Sequence, residues 1–225
     1  MQAELHAHRV TWGPLQNPIR GLLHGSAALV ALLLAVQLVS LGECEGSRRV
    51  ALLAFALSQF GLYAASALYH SAPWKPRWKR RMQRVDHAMI YVKIAGTMTP
   101  IVWIGLEDER RWILLGATWC VAILGVAQKA LLPAVNPRAC IPVQIAQATL
   151  VLPAVGPFAE RFPGTPLLLV LLGMALYGLG ALVFLIERPK LWPRVFSFHE
   201  LFHVLLVTAS GLHAALVLQY LAAAH

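Results

Sequence analysis

The sequence predicts an all-α membrane protein that folds as one bundle of seven transmembrane helices. Of its 225 residues, 58% are hydrophobic and only 13% are charged, and its mean hydropathy of +0.63 is far above what a soluble domain needs. Seven apolar runs also approach the ~20 residues that a helix needs to cross about 30 Å of hydrocarbon. Both observations place the chain among polytopic membrane proteins.

The seven apolar runs define the predicted spans. They cover residues 21–42, 50–71, 85–106, 112–132, 140–159, 166–186 and 195–222. The fifth run contains three prolines and two glutamines, which weaken its signal, so we expect an irregular span that faces other helices rather than lipid. A six-span arrangement is the alternative. Residues 21–222 are expected to form a single transmembrane domain.

Basic residues outside the spans indicate the orientation. Thirteen lie on the side of the N-terminus, including six between residues 75 and 84, and five lie on the other side. Because cytoplasmic loops carry the excess of Lys and Arg, the N-terminal segment 1–20 is predicted to be cytoplasmic and the C-terminus to lie outside. This segment lacks the pattern of a cleaved signal peptide, so the first span is expected to stay as an anchor.

The net charge of +9 raises the question of a nucleic-acid partner. The run 74–84, WKPRWKRRMQR, interleaves tryptophan with basic residues as a nucleic-acid patch does. Between two spans, however, such a run places its cations at anionic headgroups and its tryptophans at the interface. We therefore expect membrane lipid, and no nucleic acid, as the partner.

Two histidines four residues apart open the last span. His199 and His203 lie on one face of a helix at this spacing, so they can share one metal ion. The alternative is a pair of interfacial residues with polar tips in water. The three cysteines include no CxxC pair, so a cysteine zinc site is not indicated and histidine is left as the ligand type.

Other polar residues fall at the same predicted depth. Ser66 and His70 close the second span, and Asp86 opens the third. Alternate spans run in opposite directions, so these positions share the cytoplasmic side with His199 and His203. Three neutral imidazoles with water in the fourth position form an open zinc site, whereas structural sites are filled by protein. Asp86 would then hydrogen-bond the bound water or a histidine.

Four further polar residues have weaker signals. His24 lies one turn into the first span, and His87 points about 100° away from Asp86, which favours packing. His213 lies about 15 Å deeper than His203 and is expected to hydrogen-bond another helix. Lys93 is expected either to line the cavity and bind a lipid carboxylate or phosphate, or to snorkel.

Residues 199–203 also fit HExxH, the zinc protease pattern in which Glu200 would be the general base. An intramembrane protease would need a further carboxylate ligand from a distant helix. The sequence offers no convincing motif for it, so a protease is not favoured.

Three segments resemble the hemolysin III family of bacterial membrane proteins, within the PAQR superfamily, which is related to alkaline ceramidases. They are SALYHS at 66–71, VDHAMIYVKIAGTMTP at 85–100 and FHELFHVLLVTASGLH at 198–213. The resemblance implies a seven-helix bundle in the bacterial inner membrane with a cytoplasm-facing zinc. It also implies roles for five residues: His70, His199 and His203 as ligands, Asp86 in contact with the zinc-bound water, and Ser66 as a polar neighbour of that water.

The polar set and the resemblance lead to three function hypotheses. The first is a zinc-dependent hydrolase of a lipid amide or ester, in which Asp86 takes the proton of the water and Ser66 helps place the attacked group. The second is a non-enzymatic protein of membrane-lipid homeostasis or sensing, with a structural zinc. The third is a cytolysin, which the family name implies, although seven apolar spans favour a resident membrane protein.

Overall fold

A computed structural model describes residues 11–12, 15–16, 18–40, 46–132, 137–192 and 196–222. Within these residues, seven helical spans are long and apolar enough to cross a membrane. A two-residue antiparallel strand pair, Thr11–Trp12 with Leu15–Gln16, precedes the first span. The predicted all-α bundle of seven spans is therefore confirmed, and the six-span alternative is wrong.

The helices follow the predicted spans in order. Their bounds are Pro18–Ser40, Gly46–Ser71, Pro76–Gly105, Glu109–Leu131, Pro137–Thr149 with Leu152–Arg161, Thr165–Ile186, and Phe198–Leu216 continued by a π-helical turn, Val217–Leu221. We call the end where the first span begins the inner end, which the charge pattern predicts to face the cytoplasm. The orientation itself stays a prediction.

The third span begins nine residues earlier than predicted. Pro76 occupies its first turn, where the missing N–H of proline costs nothing, and the lysines and arginines that follow are good helix formers. Only four residues, Ala72 to Lys75, then connect the second and third spans. The Trp74 indole also donates a hydrogen bond to the Leu68 carbonyl at 2.8 Å. This tight connection keeps the end of the second span beside the start of the third.

The fifth span is irregular, as its prolines predict. It breaks at residues 150–151, and Pro153 lies in the first turn of its second helix. The Gln147 amide donates hydrogen bonds to the carbonyls of Tyr91 at 3.1 Å and Thr118 at 3.0 Å, which ties this span to the third and fourth. Only 28% of its apolar window is buried, half the share of the second span. The expectation that it faces other helices rather than lipid is wrong, because most of its side chains point outwards.

The second and third spans form the centre of the bundle. Their apolar windows are 56% and 61% buried, against 22–33% for the other five. The largest apolar cluster lies towards the outer end and includes Phe55, Val102, Phe158 and Leu216. The inner end is therefore left for polar side chains.

The outer end is closed by charged residues of short connections. Asp108 caps the helix of the fourth span by accepting a hydrogen bond from the Arg110 backbone N–H at 3.0 Å. The Arg110 side chain also donates to this carboxylate, which holds the pKa of Asp108 below its ordinary value. Arg161 pairs with Glu107 at 2.5 Å.

The Gln147 bonds predict a measurable contribution to stability. Gln147→Leu should lower the free energy of unfolding by about 1 kcal/mol, because two interhelical hydrogen bonds in a membrane protein are lost. The measurement is denaturant unfolding in detergent micelles. Gln144→Leu is the matched control, since Gln144 lies one turn away in the same helix without such a bond to the described residues. Equal stability of wild type and Gln147→Leu would contradict the assignment.

Candidate metal centre

Three histidines from two spans meet near the inner end of the bundle. His70 comes from the last turn of the second span, and His199 and His203 come from the first two turns of the seventh. One ring nitrogen of each lies within 4.8 Å of the others, and this is the group with metal-ligand geometry that the described residues contain. The predicted juxtaposition is therefore present.

The ring orientations follow from the helices that carry the residues. The rings of His199 and His203 are nearly parallel, 21° apart with centroids at 4.7 Å, as expected one helical turn apart. His70 approaches both edge-on from the second span, with centroid distances of 5.6 Å and 5.2 Å. Two imidazoles from one helix and one from another thus converge on a shared space.

The donor set fits a metal ion. Both ring nitrogens of His203 are buried and have no hydrogen-bond partner among the described residues. Such orphaned polar atoms are rare in native structures and need an explanation, and a metal would supply the missing partner. Three imidazoles suit zinc, which binds three protein ligands with one open position in catalytic sites. Zinc itself stays a prediction.

Ser66 lies one helical turn before His70 in the second span and contacts Asp86 of the third span. Both are buried, and a side-chain hydrogen bond joins the Ser66 hydroxyl to the Asp86 carboxyl. Asp86 is not part of the group whose ligand atoms lie within 4.8 Å of one another. This arrangement fits a neighbour of the site rather than a ligand, and the predicted contact with a bound water stays a prediction.

His24 is closer to the site than its sequence context indicates. Its ring packs edge-on against His203 with centroids 4.2 Å apart, and against Tyr63 at 5.2 Å. Both of its ring nitrogens are buried without a hydrogen-bond partner among the described residues. A fourth histidine therefore borders the cluster from the first span.

Glu200 has a structural role at the helix start. One of its oxygens accepts a hydrogen bond from the Ser197 backbone N–H at 2.9 Å, as in a capping box. The other pairs with Arg20 of the first span, with an Nε–O distance of 2.7 Å. Both carboxylate oxygens are engaged, so the protease interpretation, which needs a free general base, is not supported by the geometry.

Other sequence expectations have clear outcomes. His213 hydrogen-bonds the Val170 carbonyl of the sixth span at 3.3 Å, so it links two helices as predicted. His87 does not belong to the group of histidines whose ring nitrogens lie within 4.8 Å of one another. Lys93 is 4% exposed and does not snorkel, because its ammonium lies 3.8 Å from the centre of the Tyr177 ring inside the bundle.

A second polar group lies deeper and was missed by sequence reasoning. Ser210 contacts the hydroxyls of Tyr63 and Tyr177, the latter at 2.9 Å, and donates to Gln59 at 3.0 Å. Gln59 in turn donates to Thr97 at 2.9 Å. The sequence did contain a signal for this group, because these polar residues occur in apolar spans at matching predicted depths.

The chain is similar to known proteins over most of its length. The family described as "Haemolysin-III related" matches residues 13–214 of the chain. A protein of Bacillus cereus named hemolysin-3 is 30% identical over 214 residues, covering 94% of each chain. A hemolysin-3 homolog of Bacillus subtilis (strain 168) is 28% identical over 199 residues, covering 88% of this chain and 90% of the relative.

The geometry predicts that each clustered histidine holds the metal. Purified wild type should retain about one zinc per chain after dialysis, and His70→Ala, His199→Ala and His203→Ala should each retain much less, because zinc loses one of three protein ligands. The measurement is elemental analysis of detergent-purified protein. His87→Ala is the control and should keep the wild-type content. Unchanged zinc in all three variants would exclude this centre.

Proposed function

Since the chain belongs to the haemolysin III-related family, we propose that it is a bacterial inner-membrane protein that hydrolyses an amide or ester bond of a membrane lipid, with zinc as its cofactor. The observation that carries the proposal is the meeting of His70, His199 and His203 next to Asp86 and Ser66 within the membrane-spanning part of the bundle. A lipid is the substrate class that reaches such a site directly.

The chain's own residues divide the work of hydrolysis. The three imidazoles hold zinc, which supplies Lewis acidity and lowers the pKa of a bound water when present. Asp86 accepts the proton from the attacking water and returns it to the leaving group. Ser66 donates its hydrogen bond to the Asp86 carboxylate and so fixes the direction from which the proton is taken. The buried surroundings of both residues limit access of bulk water.

Removal of the Asp86 carboxylate should strongly reduce hydrolysis without affecting zinc binding. Asp86→Asn should lower hydrolysis by about 100-fold or more, which is typical for loss of a general base, and should leave the zinc content unchanged. Release of fatty acid from a panel of lipid amides and esters is measured by mass spectrometry. His87→Asn on the next helical position is the control. Zinc-loaded wild type without turnover on the panel, or equal turnover by Asp86→Asn, would count against the hydrolase.

A second candidate function is a non-enzymatic protein of lipid homeostasis or sensing, with zinc as a structural tie. Two observations favour it. His24 borders His203 with ring centroids 4.2 Å apart, and its two ring nitrogens have no hydrogen-bond partner among the described residues. It lies outside the group whose ligand atoms are within 4.8 Å of one another, so it would become a fourth ligand only after its side chain turns towards the other three. The largest apolar cluster lies at the outer end of the bundle. A zinc ion that links the second and seventh spans would therefore stabilise the inner end, which has less apolar packing.

The structural role predicts a different pattern of variants. His24→Ala should then lower the zinc affinity as His70→Ala does, and chelation should lower the melting temperature of wild type. For the hydrolase, His24→Ala keeps zinc, and an open position remains for water. Zinc titration and thermal unfolding of the His24→Ala variant distinguish the two functions.

The relatives' names, hemolysin-3 and hemolysin-3 homolog, raise cytolysis as a third candidate. Seven spans that are each apolar enough to cross a membrane suit a resident membrane protein rather than a released pore-former. Leakage of liposomes caused by low doses of purified protein would reverse this judgement.

A further inference from the structure

Lys93 is a buried cation that has no acidic partner among the described residues. It lies 4% exposed within the third span, about 25 Å along the helix axis from Pro76 and about 18 Å from Gly105. None of the described carboxylates forms an ion pair with it, and its ammonium instead faces the rings of Tyr177 at 3.8 Å and Tyr63 at 6.0 Å. A lysine charge at this depth is costly, so an anionic partner would stabilise it.

Hydroxyl and amide groups surround this cation. Tyr63 and Tyr177, the two aromatic rings that face Lys93, both place their hydroxyls on Ser210. Ser210 donates to Gln59. These groups can turn hydrogen-bond donors towards an anion. Together with Lys93 they form a polar group, here called the Lys93 cluster.

A cavity of about 160 Å³ leads to the Lys93 cluster from the lipid-facing side. It lies between the first, second and seventh spans, and Gln59, Tyr63 and Ser210 form its polar inner wall. Lys93 and Tyr177 do not line it, and the Lys93 ammonium lies 6.0 Å from the centre of the Tyr63 ring in this wall. The remaining wall is almost entirely apolar. Val30, which is 60% exposed, lines the cavity and marks its opening towards lipid.

We propose that this cavity binds the acyl chain of a long-chain fatty acid and directs its carboxylate to the Lys93 cluster. Charge complementarity favours the acid, since the cluster offers one cation, several donors and no carboxylate of its own. A volume of about 160 Å³ holds only the part of the chain next to the carboxyl group, and the rest of the chain extends past Val30 into lipid. A carboxyl group can reach this depth in its neutral form, whereas the headgroup of a phospholipid is held at the interface.

This site is separate from the metal centre. Lys93 lies seven residues past Asp86, about 10 Å deeper along the third span. The cavity lies between the spans that carry the histidines, but its lining includes none of His70, His199, His203, Asp86 and Ser66. Binding of the fatty acid therefore does not require hydrolysis at the metal centre. A failed binding test would leave the hydrolase proposal unaffected, and a failed hydrolase test would leave this proposal unaffected.

The test measures saturable binding of radiolabelled oleic acid to the protein in nanodiscs, after subtraction of empty nanodiscs. Lys93→Met keeps the length of the side chain and removes its charge. It should weaken oleic acid binding by about tenfold or more, since a buried charge loses its partner. Binding of oleyl alcohol, which has the same chain without the carboxylate, should be unaffected.

Lys129→Met is the matched control for the charge. Lys129 is the other buried lysine of the described spans, and its ammonium contacts the Cys140 sulfur at 3.0 Å on another side of the bundle. Its replacement should leave oleic acid binding unchanged. Melting temperatures of both variants show that each is folded.

A second variant tests the cavity itself. A Cβ added at Gly211, which lines the cavity, meets no heavy atom within 4 Å, so Gly211→Leu should fill the space and weaken binding of both the acid and the alcohol. Gly178→Leu, on the exposed side of the sixth span, is its control. Wild-type affinity of Lys93→Met for oleic acid, or equal losses in either control, would overturn the proposal.

Discussion

The bundle is organised by polar side chains that find partners on other helices, because hydrocarbon offers no water as a substitute. Arg20 of the first span meets Glu200 of the seventh, Gln147 reaches carbonyls of two other spans, and His213 reaches the carbonyl of Val170. The Arg20–Glu200 pair joins the first span to the last, and the other contacts join spans that are consecutive or two apart in sequence. The polar residues therefore hold the spans in one arrangement, and the apolar side chains fill the space between them.

The two ends of the bundle differ in composition: the outer end is mainly apolar, and the inner end contains the polar candidate site. The outer end contains the largest apolar cluster, and its short connections are closed by pairs such as Arg161 with Glu107. The inner end contains the histidine cluster, with His203 nitrogens that find no partner among the described residues. Apolar packing at the outer end stabilises the folded state, and this offsets the free-energy cost of the unsatisfied polar groups at the inner end. A rigid scaffold commonly supports a reactive site in this way.

Much of the fold and part of the site could be predicted from the residues alone. Hydropathy located all seven spans, and the helical repeat placed His199 and His203 on one face. Helix direction brought His70 and Asp86 to the same end. The early start at Pro76 was missed because a basic segment is unfavourable in hydrocarbon, yet its residues are good helix formers at the interface. The fifth span was expected to face protein because of its prolines and glutamines, but of these five residues only Gln147 is buried.

By itself, the sequence determined the number of spans, their order and the depth of each polar residue, since span length is set by bilayer thickness and depth follows from the rise per residue. Only the tertiary structure decided which polar residues meet. It made Glu200 a partner of Arg20 instead of a general base, placed His24 against His203, and enclosed Lys93 between two tyrosines. The reason is that contacts between spans depend on the rotation of each helix and on its neighbours, and neither is encoded in hydropathy.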